Sequence, residues 1–92
     1  MSLHLKVLTP DLTLFEGMVE SVQVPGQAGP FEVLKDHAPI VASLQNPGQV
    51  RFRTAEGQTI AYQVMGGVVE VLQNKIVLLS PGISSTASVP QG

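Results

Sequence analysis

VRFRTAEGQTIAYQV, residues 50–64, decides the fold. Val50, Phe52 and Thr54 alternate with Arg51 and Arg53; Ile60, Tyr62 and Val64 alternate with Ala61 and Gln63. A period of two puts successive side chains on opposite faces of an extended chain, so each run reads as a half-buried β-strand. Glu56-Gly57 between them supplies a hairpin turn, because glycine takes positive φ without steric cost.

The same period continues on both sides. Upstream, Leu3, Leu5 and Val7 point one way and His4 and Lys6 the other, until Thr9-Pro10-Asp11 breaks the run. Leu12, Leu14 and Glu16 alternate with Thr13 and Phe15 in a second short strand, and Gly17 separates it from a third, Met18 to Val24. Pro25 to Pro30 is a loop by composition, Phe31 to Leu34 a returning strand, Lys35 to Pro39 a second loop, and Ile40 to Leu44 a short apolar strand before the Asn46-Pro47-Gly48 turn. Downstream, Gly66-Gly67 opens a strand over Val68 to Leu72, and Asn74-Lys75 turns it back into Ile76 to Leu79. These last two strands are apolar on both faces, which marks strands covered on their outer side too, by this chain or by another. About nine short strands with regular turns, and no sustained helical stripe, predict an all-β sandwich or barrel. The expected domain is residues 1–80; PGISSTASVPQG, residues 81–92, is expected to be a loose, flexible tail.

Composition narrows the function. The 92 residues make one domain, 43% apolar and only 13% charged, and so much apolar material on a small body implies that part of its surface is covered by something else. The net charge is −2, and Lys6, Lys35, Arg51, Arg53 and Lys75 are scattered, so no row of phosphates is matched and nucleic acid is not an expected partner. No apolar run approaches the roughly 20 residues that span a bilayer, so direct membrane insertion is not expected. There is no cysteine, which removes disulfides, thiolate metal sites and thiol nucleophiles.

Chemistry is largely missing. The one candidate base, His37, stands beside Asp36 on a loop, where neighbours in sequence rarely form a triad. His4 and His37 lack a third ligand at a recognisable spacing. Gly26-Gln27-Ala28-Gly29 lacks the Gly-Lys-Ser/Thr ending of a phosphate loop and no helix follows it. No catalytic residue, metal site or cofactor is expected. An alternative of another class, a free-standing ligand-binding sandwich, would need an aromatic platform or a deep pocket, and one Tyr, three Phe and no Trp offer little for one.

Several motifs in order resemble a known family. Phe15-Glu16-Gly17, Val19 to Gly26, His37-Ala38-Pro39, Asn46-Pro47-Gly48-Gln49-Val50-Arg51 and Gly66-Gly67-Val68-Val69-Glu70-Val71 are similar to successive motifs of the epsilon subunits of F-type ATP synthases, over about residues 3–80. The resemblance implies a flattened β-sandwich of about ten short, mostly antiparallel strands. It implies a non-catalytic rotor part of the central stalk, a monomer within a hetero-oligomeric complex, coupling the gamma subunit to the membrane c-ring. It places c-ring contacts on Gln27, Ala28, Gly29, Pro30 and Phe31 with Asp36 and His37, and gamma contacts on Thr9, His37 and Ala42. The location implied is the cytoplasmic face of a bacterial inner membrane, reached through the complex.

Two departures stand out. The family pattern has Gly-Glu-Phe-Gly where this chain has Gly29-Pro30-Phe31-Glu32, and Pro-Gly before His-Ala-Pro where it has Lys35-Asp36. Many members also continue into a helical hairpin that blocks rotation and in some binds ATP. Residues after Pro81 are too few and too poor in helix formers for one, so neither property is expected from this sequence.

Overall fold

One strand belongs to both layers of the molecule. In the computed structural model, which describes residues 3–85, β1 (Leu3–Leu8) is followed by β2 (Thr13–Val24), the longest strand at 12 residues. The first part of β2 pairs with β1, from Leu3 opposite Val19 to Leu8 opposite Thr13. Its last part lies between β3 (Phe31–Val33) and β5 (Gly48–Thr54). The ladder to β5 slips between Val19 and Ser21, where β2 passes from one neighbourhood to the other, as a bulge allows. Gly17 was expected to divide this segment, but the ladder runs through it, with Gly17 opposite Leu5. A strand glycine removes a side chain without removing its backbone hydrogen bonds, so pairing on both sides carries the strand across it.

The remaining strands are β4 (Ile40–Ser43), β6 (Thr59–Val64), β7 (Val68–Leu72), β8 (Lys75–Leu79) and β9 (Ile83–Ser85), giving nine among the described residues where about ten were expected. The hydrogen-bonded order is β4-β7-β8-β1-β2-β5-β6-β9, with β3 on β2. Every pairing is antiparallel except β1 with β8. Eight strands laid flat would span roughly 34 Å at the usual spacing. The molecule measures only 29 × 27 × 25 Å, so the sheet folds over at β2 into a sandwich. Leu5, Val7, Val69 and Leu78 from one half meet Val22, Phe52 and Val64 from the other in a single core. Phe52 centres its half, with ring centroids 4.6 Å from Phe15 and 6.0 Å from Tyr62.

Turns follow their chemistry. Gly57 has φ 93° and its N–H donates to Thr54 O at 2.9 Å, closing the expected Glu56-Gly57 turn. The β7–β8 turn lies one residue earlier than expected, at Gln73 (φ 51°) and Asn74 (φ 64°), with Lys75 already opposite Leu72. A two-residue hairpin of this hand needs positive φ at both central positions, and asparagine adopts it more readily than lysine. Within the segment expected to be a loose tail, Ile83–Ser85 pair with β6, from Val64 opposite Ile83 to Tyr62 opposite Ser85. Edge pairing needs only backbone groups, which composition does not reveal. Residues 86–92 lie outside the described residues.

Candidate interaction surfaces

Two surfaces stand out, a sheet face and a loop cluster. On β7 and β8 the inward side chains Val69, Val71, Ile76 and Leu78 are buried, while Val68, Leu72, Val77 and Leu79 point outward. They are 37–46% exposed, and on the neighbouring edge strand Val41 is 69% exposed. The register makes them one surface: Val68 stands opposite Leu79, and Val41 and Val77 flank Glu70 from either side. The outer cover expected for these strands is therefore not supplied by the described residues. Lys6, Lys75 and Glu70 interrupt the surface with both signs of charge.

The loop cluster is held by backbone bonds. Gln27 N–H donates to Ser43 O at 2.8 Å and Gln45 N–H to Pro25 O at 2.9 Å, while Gln45 Nε2 donates to Gly26 O at 3.0 Å. Gly29 N–H returns to Gly26 O at 3.0 Å. Gly26 is required there: a Cβ would stand 2.5 Å from Gly29 O and 3.1 Å from the Phe31 ring. Pro25 and Gly26 are buried, leaving Gln27, Ala28 and Pro30 exposed on an anchored projection. Phe31 is half-buried against the core, its ring centroid 6.1 Å from that of His37. His37 Nδ1 donates to Ala38 O at 2.7 Å. Gln27 to Phe31 and His37 thus form one patch.

The other expected contacts lie differently. Asp36 has φ 65°, and its N–H and carboxylate both engage the Asn74 side chain. Thr9 caps the β1–β2 turn, its hydroxyl accepting from Asp11 and Leu12 N–H at 3.2 Å each, at the opposite end of β1 from Asn74. Ala42 turns in against the core, and its neighbour Val41 faces out. Val41 was not singled out from the sequence and Asn74 was read only as a turn residue; neither an edge valine nor a turn asparagine signals a contact without register.

No group of three or more His, Cys, Asp or Glu able to hold a metal occurs among the described residues. A shallow depression of about 170 Å³ lies on the other outer face, lined by Ser21, Gln23, Arg51, Phe52, Arg53 and Thr59. It is smaller than the roughly 300–1,000 Å³ of ordinary ligand sites. Arg53 there is already engaged, its Nε donating to Glu20 Oε1 at 3.0 Å.

A family model described as ATP synthase, Delta/Epsilon chain, beta-sandwich domain matches residues 2–84. The chain belongs to this family. A relative named ATP synthase epsilon chain, from Chlorobaculum tepidum, is 40% identical over 80 residues, 87% of this chain and 90% of the relative. Epsilon chains are non-catalytic subunits of the ATP synthase complex. The fold recurs in a chain of the Euglena gracilis mitochondrial ATP synthase OSCP/F1/c-ring structure, with TM-score 0.87 and 18% identity, covering 97% of this chain and 56% of that one. It recurs in the Tetrahymena thermophila mitochondrial ATP synthase central stalk/c-ring structure, with TM-score 0.75 and 14% identity, covering 92% and 67%.

Proposed function

We propose that this epsilon-type sandwich is a non-catalytic rotor part of the central stalk that holds the gamma subunit to the c-ring. The outer face of β4, β7 and β8 is the observation that carries the proposal. Val41, Val68, Leu72, Val77 and Leu79 form a largely apolar surface, interrupted by Lys6, Glu70 and Lys75, on a body whose core is already complete. Such a surface marks a place for a protein partner. It takes gamma, with Val41 on the edge strand in place of the inward-facing Ala42, and Thr9 and His37 toward the two ends of the layer. The anchored projection Gln27 to Phe31, with Asp36 and His37 beside it, takes the polar loops of the ring. Both contacts suit a stiff part: anchored backbone loses little freedom on docking. The location that goes with this role is the cytoplasmic face of a bacterial inner membrane, through the complex.

The test is gel filtration of the chain mixed with gamma at micromolar concentration. Co-elution is expected, and loss of it in Val77→Lys, which sets a charged, strongly hydrated group into the apolar contact. The variant is expected to keep the wild-type melting temperature, because Val77 is outside the core. Separate elution of the wild-type chain and gamma would sink the proposal.

A further inference from the structure

The geometry points to Asn74 as a positioning residue for the patch of His37 and Phe31, a latch on one hairpin that sets the shape of a loop on another. Asn74 Oδ1 accepts from Asp36 N–H at 2.7 Å, and Asn74 Nδ2 donates to Asp36 Oδ1 at 3.2 Å. The Asn74 carbonyl accepts from His4 N–H at 2.9 Å, so one residue fastens the start of β1, the β7–β8 turn and the β3–β4 loop together. Among the described residues, the two bonds to Asn74 are the hydrogen bonds that tie residues 35–39 to any other segment. The remaining ones are local, His37 N–H to Leu34 O at 3.1 Å and the His37 ring to Ala38 O.

The latch acts where the loop bends hardest. Asp36 at φ 65° and Asn74 at φ 64° both occupy the left-handed region, which asparagine and aspartate tolerate best among residues other than glycine. A two-point contact between them fixes orientation as well as distance, and His37 is the next residue along the chain. Its ring is then delivered beside Phe31, half-buried rather than free in solvent. A loop fixed before docking loses less conformational freedom when it docks, so the latch contributes to affinity without touching the partner. The inference rests on the docking role proposed above.

The experiment reads the latch and the docking separately, on the full chain. Asn74→Gly keeps the left-handed turn and removes both side-chain bonds. Its Asp36 amide is expected to exchange about fivefold faster or more, the factor for one hydrogen bond of ordinary net strength. Amides of the β1–β8 ladder should keep their rates, and Gln73→Gly, in the same turn but outside the latch, should leave Asp36 unchanged. The exchanged pair D36N/N74D places a donor on the loop and an acceptor on the turn, and restores protection. Binding to a gamma–c-ring assembly stripped of its epsilon chain should weaken about fivefold in Asn74→Gly and recover in the exchanged pair. Unchanged Asp36 exchange in Asn74→Gly overturns the latch; faster exchange with undiminished binding overturns its positioning role. Failure of the wild-type chain to bind overturns the docking role instead, and the latch is then decided by the exchange rates alone.

Discussion

Replacing Gly67 by alanine should damage this fold well beyond the same replacement at Gly29. Gly67 opens β7 at φ 121°, where side chains are strained. Its Cβ would also run into the Leu79 carbonyl oxygen and stand 2.8 Å from Ser80 Cα. Neither neighbour can yield easily, since Leu79 is laddered to both Val68 and Leu8. The Gly67 carbonyl in turn accepts from Leu44 N–H at 2.9 Å, so a shift there loosens the end of β4. Backbone strain of about 1–3 kcal/mol and crowding of about 1–3 kcal/mol give a loss of about 2–6 kcal/mol. A domain of this size is expected to have roughly 5–14 kcal/mol in all. Gly29→Ala is the comparison, because Gly29 has φ 146° but nothing within 4 Å of its added Cβ. Its loss is expected to be the strain alone, about 1–3 kcal/mol. Urea unfolding followed by far-ultraviolet circular dichroism measures both. Equal losses in the two variants, or a loss below about 1 kcal/mol in Gly67→Ala, would show that the close approach to β8 does not constrain the strand as argued.

Phe52→Ala removes the fully buried ring that contacts Phe15 and Tyr62, and denaturant unfolding should show a loss of about 3–5 kcal/mol. Burial raises the pKa of Tyr62, so the fold favours the neutral phenol. That contribution is whole below about pH 10, where the unfolded phenol ionises, and is lost as pH rises through the folded value. Tyr62 is the sole tyrosine, so phenolate absorbance titrates it alone; its midpoint should exceed that of the urea-unfolded chain, and Tyr62→Phe should flatten the alkaline decline in stability. The Arg53–Glu20 pair is about half exposed on both sides, so a double-mutant cycle should give a coupling below about 1 kcal/mol.

The strands were legible wherever side chains alternate, and the hairpin of β5 and β6 lies where Val50 to Val64 placed it. What escaped were features set by backbone pairing. Gly17 looks like a separator until its partner Leu5 is known, and Ile83–Ser85 looks like tail until the free edge of β6 is known. The outward set on β7 and β8 was visible as apolarity on both faces, but Val41 joined it only through the register with Glu70. The resemblance named Gln27 to Phe31 and His37; that the two loops meet through the Phe31 and His37 rings is seen only in the structure. The diversion of Asp36 to Asn74 was not legible, because it joins positions far apart in sequence through a turn whose register had to be seen.

The parallel pairing of β1 with β8 has a consequence for synthesis. β1 is made first, yet its partner on one side is β8, which emerges only with residues 75–79. Until then β1 and β2 form a hairpin with an open backbone edge and the bare aliphatic row of Leu3, Leu5 and Val7. An edge of that kind recruits foreign strands as readily as its own. A nascent chain stalled before Lys75 should therefore be held by chaperones or aggregate, and the domain should close late, in one cooperative step, once β8 slides in beside β1.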